Sequence, residues 1–262
     1  MPSLQRPGGV QIHWEERGDG PLVLFLHHFF SHPAVYEGLC TELSRDHRVV
    51  TYDPRGTGHS TRKGPYEVRV DVEDLEALLD ELGGDAVAVG LGDGRDRAAR
   101  VAWSRPDLIR AVVGCDATPI GPVTSETLEG PSGSRAVLET VVGLADSNHR
   151  AAMRGILELT NPGMTEDELR RRLDAEVAYS SHEATRARAQ WFVGPDVTET
   201  ARAIRDRLWI AFWVSEWTPP EIAGRIHEVL PEARVHPVAA GPISRPDLTA
   251  GVVRQAVAHF AA

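Results

Sequence analysis

Residues 86–94 read Ala86-Val87-Ala88-Val89-Gly90-Leu91-Gly92-Asp93-Gly94. An unbroken run of small and β-branched apolar residues fits a short strand buried on both faces. The run enters a turn with glycine at every second position. A helical pattern follows to about Ser104 and stops before Pro106, whose ring disfavours helix in the residue ahead of it. Residues 109–115 read as a strand again, so the stretch is one strand–helix–strand unit.

The alternation continues outward in both directions. Residues 10–14 predict a strand, closed by the turn Gly18-Asp19-Gly20. Residues 22–26 are another unbroken apolar run, 36–45 a short amphipathic helix and 48–52 a strand. Residues 68–82 repeat apolar side chains at helical spacing and end at Gly83-Gly84, a C-terminal stop. From 118 to 207 the strands cease and several arginine-rich helices take their place. A strand at 208–213, a helix from Pro220, a strand at 234–237 and a helix from Asp247 restore the alternation. The expected fold class is α/β, with a mostly parallel sheet and helices on both faces. Residues 1–117 and 208–262 would form the core, and 118–207 a helical cap over the sheet end where open α/β sheets bind ligands.

Composition narrows the function. The chain has 262 residues, 42% of them hydrophobic, and a net charge of −10. That charge argues against a nucleic-acid partner and against anionic membrane surfaces. No apolar run reaches the roughly 20 residues of a membrane span. Met1 to Arg6 carries no apolar signal segment. Cys40 and Cys115 lack metal-ligand or redox spacing and are expected as buried thiols in a cytoplasmic protein. His27, His28 and His32 lie close together, but no carboxylate or cysteine spacing completes a metal site. Glycines 90, 92 and 94 have the wrong spacing for a dinucleotide fingerprint, and no phosphate-binding loop occurs. No metal and no cofactor are expected. The expected partner is a small hydrophobic molecule, and a homo-oligomer is left open.

Three segments carry a resemblance to the α/β-hydrolase superfamily over nearly the whole chain. Leu26-His27-His28-Phe29 is similar to the family's His-Gly oxyanion loop. Asp53-Pro54-Arg55-Gly56-Thr57-Gly58-His59-Ser60 matches a loop of its bacterial members. Residues 90–113 fit its nucleophile elbow, helix and following strand. The resemblance also exposes what is missing. Gly90 and Gly94 fill the small-residue positions of the elbow, and the nucleophile position is Gly92, which has no side chain to attack with. A one-residue slip would put Asp93 there, as in epoxide and haloalkane hydrolases, but with Leu91 and Arg95 where small residues are needed. Ser215 falls on the acid position, with Glu216 adjacent. The histidine position falls on Ala239, Ala240 or Pro242. The elbow and acid positions also resemble the non-hydrolytic N-myc downstream-regulated proteins. A triad acts as a unit, so this degenerate triad argues against ordinary ester or amide hydrolysis.

What remains could still act on a ligand. The backbone N–H groups of Phe29 and Asp93 would occupy the oxyanion positions, the second at a helix N-terminus. Asp93 is either a helix cap or a catalytic carboxylate. His28 is either a pocket filler or a base near neutral pH. His27 is expected to be a structural hydrogen-bonder. Trp209, Phe212, Trp213 and Trp217 surround the acid position, as core packing or as an aromatic wall that Trp191 and Phe192 would close. Tyr179 and His182 are cap polar groups without an assigned partner. Arg95, Arg97 and Arg100, and the run Arg170-Arg171-Arg172, are expected on solvated helix faces. Catalysis would rest on Asp93, His28 and Glu216, in a pocket formed with His27, Phe29, Gly92, Trp191, Trp213, Ser215 and Trp217. Three functions follow. The first is a non-hydrolytic enzyme of cyclase, isomerase, lyase or rearrangement type acting on a hydrophobic carbonyl compound. The others are a non-catalytic binder of a ligand or partner, and an atypical hydrolase using Asp93 or Glu216.

Overall fold

The computed structural model describes residues 2–29, 31–115, 143–145, 147–161, 163–193, 198–214 and 220–261. Eight strands form one sheet: β1 (Ser3–Arg6), β2 (Val10–Arg17), β3 (Leu22–Leu26), β4 (Arg48–Tyr52), β5 (Ala86–Gly90), β6 (Ile109–Gly114), β7 (Leu208–Trp213) and β8 (Arg234–Val238). Their order is β1-β2-β4-β3-β5-β6-β7-β8. The pairs β1–β2 and β2–β4 are antiparallel and the other pairs are parallel. Strand β1 is missing from the sequence reading. None of its four residues is buried and only Leu4 is apolar, so no apolar pattern announces it, and it pairs with β2 across Pro7-Gly8-Gly9.

The helices follow the sequence reading closely. They are α1 (Glu37–Leu43), α2 (Val68–Leu82), α3 (Asp93–Ser104), α4 (His149–Thr160), α5 (Glu166–Tyr179), α6 (His182–Val193), α7 (Thr198–Ile204), α8 (Ile222–Val229) and α9 (Pro246–Phe260). Alternate residues of the central strands feed two cores. Leu24, Leu26, Ala86 and Ala88 pack on one face with Leu75, Leu78 and Val101 of α2 and α3. Val23, Phe25, Val87 and Val89 pack on the other with Leu39 and Leu43 of α1 and Val253 of α9. This is the period of two that a strand imposes.

The topology places the site. From β3 the chain moves to β4 on one side and returns to β5 on the other. The strand order reverses between β3 and β5, so the loops that leave their carboxyl ends flank a natural crevice. Those loops hold His27 to Phe29 and Leu91 to Gly92, with Asp93 opening α3.

Among the described residues, four helices, α4 to α7, lie between β6 and β7. The 53–60 loop docks them. Gly58 N–H donates to Tyr179 C=O and Ser181 N–H to Gly56 C=O, both at 2.8 Å. Arg188 of α6 forms a two-point ion pair with Asp71 of α2 at 2.7 and 2.9 Å and donates to Arg55 C=O at 2.8 Å. Arg55 in turn grips Asp74 at 2.7 and 2.8 Å. All four side chains are buried.

Candidate functional site

The turn after β5 keeps the geometry of a strand-to-helix elbow. Gly92 has φ 49° and ψ −120°, a conformation that L side chains rarely adopt. A β-carbon on Gly94 would lie 2.4 Å from Leu26 C=O, and one on Gly90 would lie 2.4 Å from the Arg95 nitrogen. Both positions therefore require glycine, as the elbow pattern predicts. Gly92 faces something further. A β-carbon there would sit 2.0 Å from Cδ2 and 2.3 Å from Nε2 of His28. The imidazole fills the space that a nucleophile's side chain would use.

Asp93 opens α3 and is fully buried. Its Oδ1 accepts the Phe29 backbone N–H at 2.8 Å and lies 3.4 Å from His28 Nδ1. Its Oδ2 lies 3.1 Å from Arg97 Nη2, one helical turn on. The expected open nest is thus occupied, because a side-chain carboxylate already takes the Phe29 N–H. Burial raises the Asp93 carboxyl above its ordinary range, while Arg97 and the Phe29 N–H oppose that shift.

Arg97 is the residue that sequence reasoning misplaced. It is 1% exposed and donates to Tyr52 Oη at 2.8 Å and to His27 C=O at 3.1 Å. Burial works against its charge, and Tyr52, Asp93 and Asp71 more than restore it. Arg95 is also buried, against Asp96 at 2.9 Å, and Arg100 is half-buried over the Trp191 ring at 5.6 Å. The expectation of a solvated face fails because α3 packs against the interior strands β5 and β6 and against α2 and α7. The signal was present, since Asp93 and Arg97 stand at i and i+4.

His27 is the expected structural hydrogen-bonder. Its Nδ1 donates to His28 C=O at 2.9 Å, and its Nε2 meets Tyr179 Oη at 2.9 Å. Burial lowers its pKa to about 4, so the ring is neutral and the Tyr179 hydroxyl is shared between it and Asp53 Oδ1, at 2.7 Å. Tyr179 therefore has its partners, and His182 has one in Ala145 C=O.

The aromatic residues divide. Trp209 and Phe212 are core, with Trp209 stacked on His236 at 5.0 Å. Trp213 is half-buried against Gly241. Trp191 packs toward the main core and Arg100 rather than closing an aromatic wall. The Phe192 side chain and Ser215, Glu216 and Trp217 lie outside the described residues.

A cleft of about 700 Å³ opens between the segment after β3, the residues that follow α4 and helix α5. His32, Val35 and Met164 contribute to it, together with Arg171, Arg172 and Glu176. Glu176 is 1% exposed, and its Oε1 makes no hydrogen bond; Arg172 Nε is 3.6 Å away and likewise makes none. Burial pushes the Glu176 carboxyl up to about 7, against the pull of the His32 N–H and Arg172. Arg170 and Arg171 are exposed as expected; Arg172 is not, because it turns inward beside Glu176 and donates to Asn161 Oδ1 at 3.1 Å.

Comparison with known proteins agrees with the fold. A family model described as alpha/beta hydrolase fold matches residues 21–130. The chain is 36% identical over 114 residues to 2-(acetamidomethylene)succinate hydrolase of Mesorhizobium japonicum, a match that covers 43% of this chain and 41% of that protein. It is 33% identical over 111 residues to an epoxide hydrolase of Caballeronia sordidicola, covering 40% and 34%. The matched stretches span less than half the length of these curated relatives. The crystal structure of E-2-(acetamidomethylene)succinate hydrolase is similar with a TM-score of 0.73 at 22% identity, covering 98% of this chain and 99% of that one. The chain therefore has an α/β-hydrolase fold, and its residues 21–130 match the family model of that fold.

Proposed function

We propose that this chain is a non-hydrolytic α/β-hydrolase-fold protein that binds a small, largely apolar molecule carrying a carbonyl or carboxylate group. One observation carries the reading: the Asp93 carboxylate, fully buried, already holds the Phe29 N–H that would stabilise an oxyanion. A substrate carbonyl would have to displace a charged acceptor bonded at 2.8 Å. Gly92 supplies no nucleophile, and His28 occupies the volume that one would need. Binding is assigned to the cleft at α5. There Arg172 and the near-neutral Glu176 offer a donor set to an acidic oxygen, among apolar walls. The first relative named above acts on a succinate derivative, which suits such a cleft.

A second reading has its own support. His28 Nδ1 and Asp93 Oδ1 converge at 3.4 Å, an acid–base pair able to promote isomerisation, cyclisation or elimination without a covalent intermediate. It also fits relatives that are enzymes. The test is a thermal-shift screen of short mono- and dicarboxylic acids and their ketone analogues, followed by product analysis of each binder. Binding that Arg172→Ala removes, with the ligand recovered unchanged, is the expected result. A ligand converted by the wild type and spared by His28→Ala would favour the second reading. Binding unaffected by Arg172→Ala would remove the cleft from the account.

A further inference from the structure

We propose that His13, Asp53 and His59 form a divalent-metal site, and that zinc is the ion it takes. The three come from β2 and from the loop after β4, so no local spacing in the sequence reveals them. Their ligand atoms lie within 4.8 Å of one another. The His13 and His59 rings meet edge to face, with centroids 4.9 Å apart, and His59 Nδ1 lies 3.6 Å from Asp53 Oδ2.

The tautomer of His13 is fixed by its neighbour. Its Nδ1 is 3.1 Å from Pro2 C=O, an acceptor only, so Nδ1 carries the proton. In the neutral ring Nε2 then presents a lone pair, which is how a second partner prepares an imidazole to bind metal. That nitrogen faces Glu15 Oε1 at 3.4 Å. Asp53 keeps capacity for the ion. Its oxygens accept Tyr179 O–H and His59 N–H, which uses two of about four lone-pair directions.

Two imidazoles and one carboxylate suit zinc, with Glu15 or water as a fourth ligand. Bonds of about 2.0–2.2 Å put tetrahedral donors about 3.4 Å apart, so donors as far apart as 4.8 Å must draw in by about 1 Å or more. His59 can supply that movement, since its side chain is 66% exposed, while His13 and Asp53 are held. An ion on Asp53 would also brace the loop that docks α5 through Tyr179, so binding should raise the melting temperature.

The experiment is calorimetric titration of the full chain with zinc chloride after chelator treatment, with a thermal-shift readout beside it. The expected result is one zinc per chain and a raised Tm. His59→Ala, a surface change that leaves the core intact, should weaken binding about tenfold or more and abolish the Tm gain. Asp53→Asn should do the same where it folds. His227→Ala, at a remote exposed histidine, should change neither. No zinc binding, equal binding by His59→Ala, or an anomalous-scattering peak located only at other histidines would each overturn the proposal.

Discussion

His28 and Gly92 share one volume. The imidazole lies where any β-carbon on residue 92 would fall, 2.0 Å from Cδ2. Residue 92 of the elbow carries no side chain, and the His28 ring fills the space beside it. The two positions should therefore behave as a coupled pair.

Gly92→Ser should destabilise the fold by about 2–4 kcal/mol, from overpacking and from the positive φ. It should gain no esterase activity. Adding His28→Gly should recover part of that loss, so that urea unfolding of the double variant departs from additivity by about 1 kcal/mol or more. Additive losses would mean that the ring moves aside freely.

Arg97 and Asp93 form the next pair. Arg97→Met leaves a buried carboxylate without its cation and should cost about 3–5 kcal/mol in chemical denaturation. Pairing it with Asp93→Asn should restore most of the difference, because the stranded charge is then absent. If Arg97→Met alone is tolerated, Asp93 is not held as a carboxylate in the folded chain.

The Arg188–Asp71 pair ties α6 to the core. Arg188→Leu should destabilise by a similar ~3–5 kcal/mol and expose the 53–60 loop, read as faster amide exchange at Gly56 and Gly58. Unchanged exchange would show that the backbone contacts of Gly58 and Ser181 dock the helices unaided.

Glu176 predicts a pH dependence. Its carboxyl titrates near 7 in the folded chain and at about 4.5 when unfolded, so the folded chain holds an extra proton between those values. The stability this contributes is fully present below about pH 4.5 and is lost as the pH rises through about 7. Relative to Glu176→Gln, the wild type should lose about 3 kcal/mol between pH 4.5 and 8. A flat difference, or a gain on raising the pH, would show that Glu176 is not buried as a neutral acid.

Much of this was legible in the residues because local pattern dictates it. The apolar runs at 22–26 and 86–90, the Gly83-Gly84 stop and the alternating glycines of the elbow each announce a backbone requirement. Strand β1 escaped because a four-residue edge with one apolar side chain has no hydrophobic face to show. The site was half legible. Gly92, Asp93 and His28 could be placed, but not the fact that the Asp93 carboxylate would turn back onto the Phe29 N–H. Arg97 read as a surface residue because arginines usually are, and only the depth of α3 beneath its neighbours makes it internal. Glu176 with Arg172, and His13 with His59, are brought together by tertiary packing across elements or by one helix turning inward. Spacing alone does not reveal which way a charged face points.

The claim that the oxyanion position is already filled is tested most directly by initial rates on p-nitrophenyl acetate and butyrate, wild type beside Asp93→Ala. The account predicts that the wild type does not exceed the buffer rate at any pH from 6 to 9 (roughly the range where a general base operates). Turnover by the wild type that disappears in Asp93→Ala would contradict it, because Asp93 would then be a working catalytic carboxylate rather than a built-in occupant of the site.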